Sequence, residues 1–163
     1  MGIELNQNTL KKAKKLKFIT TATTGSSHIN INYLNSKNIG LKTLSGQKEL
    51  LSGLTPAAEH SWLLLLMCSR KVKQAINDVD KGIWDRNNYP GLMLKGKTLG
   101  LIGVGRIGGW MARYANAFGM KCLGYDPFIN KADKNVELVD KNVLLNQSDF
   151  ISIHANYTPG CEK

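Results

Sequence analysis

The chain has 163 residues, of which 42% are hydrophobic and 21% charged, a size and balance that suit one packed domain or pieces of two and exclude wholesale disorder. Sixteen glycines and four prolines follow no repeating period, which excludes collagen-like and proline-rich classes. Twenty-two Lys and Arg against twelve Asp and Glu give a formal charge of +10, and the longest apolar run, Trp62–Cys68, has seven residues, far short of the ~20 a membrane helix needs.

In chain order, Thr9–Lys15 reads as a short helix whose lysines face solvent, and Lys17–Ala22 as a strand rich in β-branched and aromatic residues. Thr23–Ser27 is a polar loop. Asn30 is placed to cap a helix running to about Lys37. Ile39–Leu44 follows as a second strand, and Ser45–Leu54 reads as loop. Thr55-Pro56 carries the signals of a helix start, threonine at the N-cap and proline in the first turn. One long helix is expected from there to Val79, buried on most sides in its first half and stopped by Gly82. Residues 82–96 read as an irregular connector.

Past Lys97 the pattern alternates. Thr98–Ile102 is a buried strand by composition, Gly103–Gly109 a glycine-rich turn, and Arg106–Phe118 a helix ended by Gly119. Lys121–Tyr125 is the next strand, stopped by Asp126-Pro127; Val139–Leu145 is a helix, and Asp149–Ile153 a third strand. Strand and helix in alternation imply an α/β fold with a parallel sheet and crossover helices.

Cys68, Cys122 and Cys161 are odd in number and have no C-x-x-C spacing, so neither a disulfide framework nor a metal site is expected. Reduced thiols and the lack of an apolar core behind Met1–Leu5 point to the cytoplasm. Five lysines between Lys11 and Lys17 are read as a solvated face. No aromatic interleaving accompanies them, and no nucleic-acid partner is expected.

Gly103-Val104-Gly105-Arg106-Ile107-Gly108 is a G-x-G-x-x-G pattern set between a strand and a helix, with Asp126 lying 18 residues further on at the end of the next strand. Those are the elements of a dinucleotide fingerprint. Gly103 permits the tight turn, Gly105 lets backbone approach a pyrophosphate, and Gly108 lets helix and sheet pack closely. The N–H groups of Arg106 and Ile107 sit at the positive end of the helix dipole. A carboxylate at Asp126 accepts hydrogen bonds from ribose hydroxyls and repels a 2′-phosphate, which predicts NAD over NADP.

These residues, with Phe118-Gly119-Met120, Gly124-Tyr125-Asp126-Pro127, Ser148–His154, Ala58-Glu59-His60 and Thr24–Asn30, resemble the D-2-hydroxyacid dehydrogenase family, and within it the phosphoglycerate-dehydrogenase-like branch. The resemblance implies an NAD-dependent oxidoreductase acting on the CH–OH group of a D-2-hydroxy acid, with a 2-hydroxy or 2-keto acid as its small-molecule partner and a homodimer as its assembly. The fold it implies is a Rossmann-type NAD-binding domain, incomplete here, plus part of a flavodoxin-like substrate domain. Residues 1–54 would belong to the substrate domain, 55–96 to a long interdomain helix and connector, and 97–163 to the first half of the NAD domain. Thr21, Ala22, Thr23 and Thr24 would hold the substrate carboxylate. Gly103, Gly105, Arg106, Ile107, Gly108, Asp126, His154 and Ala155 would hold the cofactor, with Asn156 standing where the family usually has proline. His154 would line the cofactor rather than move protons. His60 would pack between domains, and His28 would face solvent.

The family's carboxylate-clamping arginine, acid/base histidine and helper glutamate would all lie beyond Lys163. Hydride transfer from a hydroxyl-bearing carbon needs a base for the hydroxyl proton, so no catalytic residue is assigned, and the chain alone is expected to be an inactive piece of a longer enzyme. An NAD-binding regulatory module without catalysis is the alternative. With three strands in hand, Thr98–Ile102 is expected to be an unprotected sheet edge, leaving the cofactor crevice without one wall.

Overall fold

Residues 3–155 are described by the computed structural model, and they divide into two compact units, 3–53 and Leu54–Ala155. Asn156 and Cys161 lie outside the described residues.

In the first unit, helix α1 (Gln7–Leu10) starts where the Asn6 side chain accepts a hydrogen bond from Thr9 N. It ends sooner than the predicted helix, and residues 11–16 continue as turns. Lys11, Lys14 and Lys15 would stand three and four positions apart on a continued helix, where like charges repel. Strand β1 (Phe18–Thr20) pairs in parallel with β2 (Gly40–Lys42), placing Ile19 opposite Leu41. Between them lies α2 (Ile31–Ser36), capped as predicted by Asn30, whose side chain accepts from Tyr33 N at 2.9 Å. Leu10, Ile29 and Leu34 form the buried core, with Leu5, Ile19 and Leu41 against it. The segment expected to be loop contains a short helix, α3 (Lys48–Ser52).

The second unit opens with α4 (Pro56–Ser69) and α5 (Val72–Val79), two helices where one was predicted. The break falls at Lys71, which is left-handed at φ 53°. Leu92 N donates to the Ser69 carbonyl at 2.8 Å, so the connector takes an acceptor at the end of α4. The expected all-round burial of α4 is also corrected. Ala58 and Trp62 are buried, but Leu63 and Leu64 are half exposed. Trp62 packs edge-on against Phe118, with ring centroids 4.9 Å apart. Thr55 does not cap the helix N–H groups; its hydroxyl donates to Glu59 instead.

β3 (Thr98–Ile102), α6 (Arg106–Ala117) and β4 (Lys121–Tyr125) form a parallel β-α-β unit in the predicted order. A two-residue strand that the sequence reading lacked, β5 (Glu137–Leu138), then pairs beside β4. α7 (Lys141–Gln147) leads from it to β6 (Phe150–Ile153). The all-parallel sheet has the order β5-β4-β3-β6.

This overturns the expectation that Thr98–Ile102 is an edge. With β5 outside β4, the chain crosses the sheet through α7, and β6 pairs with β3 on its other side. β3 is therefore interior, and the gap between β3 and β6 has strands on both sides. Alternation along β3 sorts the two helices. Leu99 and Leu101 join Met111, Ala112 and Ala115 of α6 in the core, the burial of each leucine and of the methionine giving roughly 2 kcal/mol. A Cβ at Gly100 would instead fall 2.7 Å from Leu144 of α7. The two helices thus cover opposite faces of the sheet.

Candidate functional site

The glycine-rich turn lies at the C-terminal end of β3, the interior strand. Gly103 N donates to the Tyr125 carbonyl at 2.8 Å, and His154 N to the Ile102 carbonyl at 2.7 Å. Gly103 has φ +87°, and a Cβ there would meet the His154 carbonyl carbon at 2.7 Å and Ala155 N at 2.8 Å. A side chain is excluded there on both counts. Gly103, His154 and Ala155, far apart in sequence, form one packed junction where β3 and β6 end. Gly108 lies in the first turn of α6, where a Cβ would stand 2.2 Å from the Gly103 carbonyl oxygen. That absence lets the helix start against the strand.

Gly105 differs from both. It is the N-cap of α6 with φ −72°, and a Cβ there would meet nothing within 4 Å. No side chain caps the helix. Open space, unfilled by any side chain of the described residues, therefore lies at the positive end of a 12-residue helix. Ile107 is half-buried in the first turn. The Arg106 guanidinium donates to the Leu54 carbonyl, so its side chain is tied to the start of α4.

Asp126 joins the turn after β3 to the turn after β4. One carboxylate oxygen accepts Val104 N and the other accepts Phe128 N, each at 3.0 Å. Each oxygen keeps a lone-pair site for a further donor. Beyond it an open cavity of about 490 Å³ lies over the ends of β4 and β5, between Asp126 and Asp140. His154 is half-buried, and its Nε2 shares a hydrogen bond of 2.8 Å with Ser152 Oγ. Burial pushes the imidazole pKa down, which favours its neutral form.

Thr21, Ala22, Thr23 and Thr24 lie in the first unit, where β1 ends. Thr23 Oγ1 donates to the Gly25 carbonyl at 2.7 Å, and the Thr21 and Thr23 hydroxyls are 3.0 Å apart. Thr21 N donates to the Lys42 carbonyl and Leu44 N to the Thr23 carbonyl. The loop is thus shaped by its own hydroxyls, with Ala22, Thr23 and Thr24 exposed. His60 is exposed on α4, and His28, expected to face solvent, is half-buried.

Two partners at the site went unread in the sequence. Ser152 and His154 are two apart on a strand, and that spacing puts both on one face, so the pairing had a signal. The bond from Val104 N to Asp126 had none, because it depends on register between β3 and β4.

The model of the D-isomer specific 2-hydroxyacid dehydrogenase NAD-binding domain matches residues 62–163. D-3-phosphoglycerate dehydrogenase of Methanocaldococcus jannaschii is 37% identical over 97% of this chain and 30% of its own length. Hydroxypyruvate reductase of Thermotoga maritima is 37% identical over 91% of this chain and 47% of its own length. Among solved structures, D-lactate dehydrogenase from Aquifex aeolicus, complexed with NAD and lactic acid, superposes with a TM-score of 0.77 at 32% identity. That superposition covers 96% of this chain and 46% of the other. The chain thus spans less than half of the length of each of these three proteins.

Proposed function

Because the chain belongs to the D-isomer specific 2-hydroxyacid dehydrogenase family and carries its NAD-binding domain, we propose that it supplies the cofactor-holding part of an enzyme that interconverts a D-2-hydroxy acid and its 2-keto acid. The observation that carries the proposal is the start of α6. Gly103 and Gly108 are closed by backbone on every side that a Cβ would take, whereas Gly105 opens onto space at an uncapped helix N-terminus. A loop used only for packing has no need of that opening, and a pyrophosphate fits it.

The bound NAD supplies the hydride acceptor. The protein's own residues do the rest. The N–H groups of Arg106 and Ile107 receive the pyrophosphate, Gly105 lets it approach, and Gly108 lets α6 start against β3. The Asp126 carboxylate, fixed by two backbone N–H groups, accepts the ribose hydroxyls. His154 and Ala155 wall the site through their backbone, with Gly103 packed against them. The loop Thr21, Ala22, Thr23 and Thr24 receives the substrate carboxylate through the main-chain N–H groups of its last three residues, with Thr21 N held by the Lys42 carbonyl, and no charged side chain is needed there. Arginine, histidine and glutamate for the acid/base step are assigned outside residues 3–155.

The same reading takes the whole protein to be a homodimer in a reducing cytoplasm, with no nucleic-acid partner. Free Cys68 and Cys122 suit that compartment. The half-exposed Leu63 and Leu64 on α4 suit a subunit contact. Among the described residues no helix is long and apolar enough to cross a membrane.

The test is NADH oxidation followed at 340 nm with a panel of 2-keto acids, on this chain and on the full-length protein. The expected result is turnover by the full-length protein alone. Turnover by the 163-residue chain contradicts the placement of the acid/base. NAD binding without turnover of any 2-keto acid by the full-length protein favours the regulatory-module reading.

A further inference from the structure

The cavity over the ends of β4 and β5 is bordered by one acid more than the fingerprint requires. Asp126 borders it on the β4 side. On the β5 side stands Asp140, the residue that precedes α7. Asp140 has the extended backbone of an N-cap, φ −64° and ψ 150°, yet its side chain makes no capping hydrogen bond. Aspartate at this position ordinarily accepts a first-turn N–H. Here the carboxylate is exposed and borders the cavity. The other lining residues are Gly124, Tyr125, Pro127, Ile129, Asn130, Leu138 and Val139. Among the described residues the lining therefore includes two aspartates and no lysine or arginine.

That charge bears on one chemical difference between the two nicotinamide dinucleotides. The ribose hydroxyls assigned to Asp126 are those that in the phosphorylated cofactor carry a 2′-phosphate. A phosphate there would project past Asp126 toward the cavity that Asp140 borders on its other side. We propose that Asp140 is a second specificity-determining residue, which rejects a 2′-phosphorylated dinucleotide together with Asp126 and continues to reject it when Asp126 is neutralised. The inference rests on the cofactor assignment made above.

A carboxylate and a phosphate dianion about 7 Å apart in water repel each other enough to change an equilibrium constant by roughly fivefold to tenfold at low salt. Lys131 on that loop and Lys141, which follows Asp140, are both exposed, and neither is part of the lining among the described residues.

The experiment measures dissociation constants of NAD+ and NADP+ by calorimetry on the whole chain at low and high salt. The proteins compared are the unaltered chain, Asp126→Ser, Asp140→Asn and the double variant. Asp140→Asn retains an N-cap residue, so α7 keeps its start. NADP+ is expected to bind several-fold more tightly to Asp140→Asn than to the unaltered chain, and likewise to the double variant than to Asp126→Ser. The gain is expected to shrink at high salt, with NAD+ affinity changed less than twofold. If NAD+ binds but NADP+ affinity ignores Asp140 in both backgrounds, the proposal is overturned while the cofactor assignment stands. If the unaltered chain binds no NAD+, the cofactor assignment fails and this inference fails with it.

Discussion

Gly103 and Gly105 stand two residues apart in one turn, and the structure gives them opposite tasks. At Gly103→Ala the new methyl would sit 2.7 Å from the His154 carbonyl carbon at a backbone φ of +87°. The left-handed backbone costs roughly 1–2 kcal/mol with a Cβ present, and forcing the β3 and β6 ends apart adds about 1–3 kcal/mol. The expected loss is about 2–5 kcal/mol, which lowers the melting temperature by roughly 5–15 °C in a protein of this size. At Gly105→Ala the φ is −72° and the methyl meets nothing within 4 Å. Only the poorer N-cap character of alanine acts there, a loss of about 1 kcal/mol or less. The methyl enters the space assigned to the pyrophosphate, so NAD+ affinity is expected to fall at least about tenfold, the equivalent of ~1.4 kcal/mol. Thermal unfolding followed by circular dichroism, paired with NAD+ titration, separates the two effects. A Gly105→Ala protein that melts as the unaltered chain does and binds NAD+ equally well would refute the reasoning.

Asp149 is held below its ordinary pKa of 3.8, first by the Thr98 N–H and then by the Lys97 side chain. Its contribution to stability is present above that value and is lost as pH falls through the lowered one. Asp149→Asn should therefore flatten the acid limb of the stability profile below about pH 4, read by urea unfolding at a series of pH values. Burial pushes the Cys122 thiol up to about 11, whereas Cys68 is exposed. Alkylation of the native chain at pH 8 with peptide mapping should label Cys68 and spare Cys122 until denaturant is added. Leu144 is fully buried on the α7 face of the sheet. Leu144→Ala should cost about 2–4 kcal/mol in chemical denaturation, with no change in the reactivity of Cys122, which is hydrogen-bonded to Ala112 of α6 on the opposite face.

The cofactor end of the fold was legible because its signals are local. A glycine pattern between a strand and a helix, and an acid at the next strand's end, fix the turn and α6 without knowledge of the rest. Asn30 was legible for the same reason, since capping reaches only to Tyr33. The misreadings concern what depends on distant partners. Glu137-Leu138 carries too little sequence to announce a strand, yet its pairing with β4 decides where β6 goes and turns β3 from an edge into an interior strand. The break at Lys71 follows from the bond between Leu92 and Ser69, 23 residues apart, and nothing between Arg70 and Val72 reads as a stop. Thr55 shows a local signal overridden at short range: its backbone is helical (φ −103°, ψ −15°) rather than extended as in a side-chain cap, and its hydroxyl donates to Glu59.

The central claim is that the start of α6 and Asp126 together form a site for NAD. Calorimetric titration of the whole chain with NAD+ and with NADP+ at one salt concentration tests it most directly. Saturable binding of NAD+ with one site per chain is expected, with NADP+ binding at least about tenfold weaker. No heat of binding with NAD+, or equal affinity for the two dinucleotides, would contradict it.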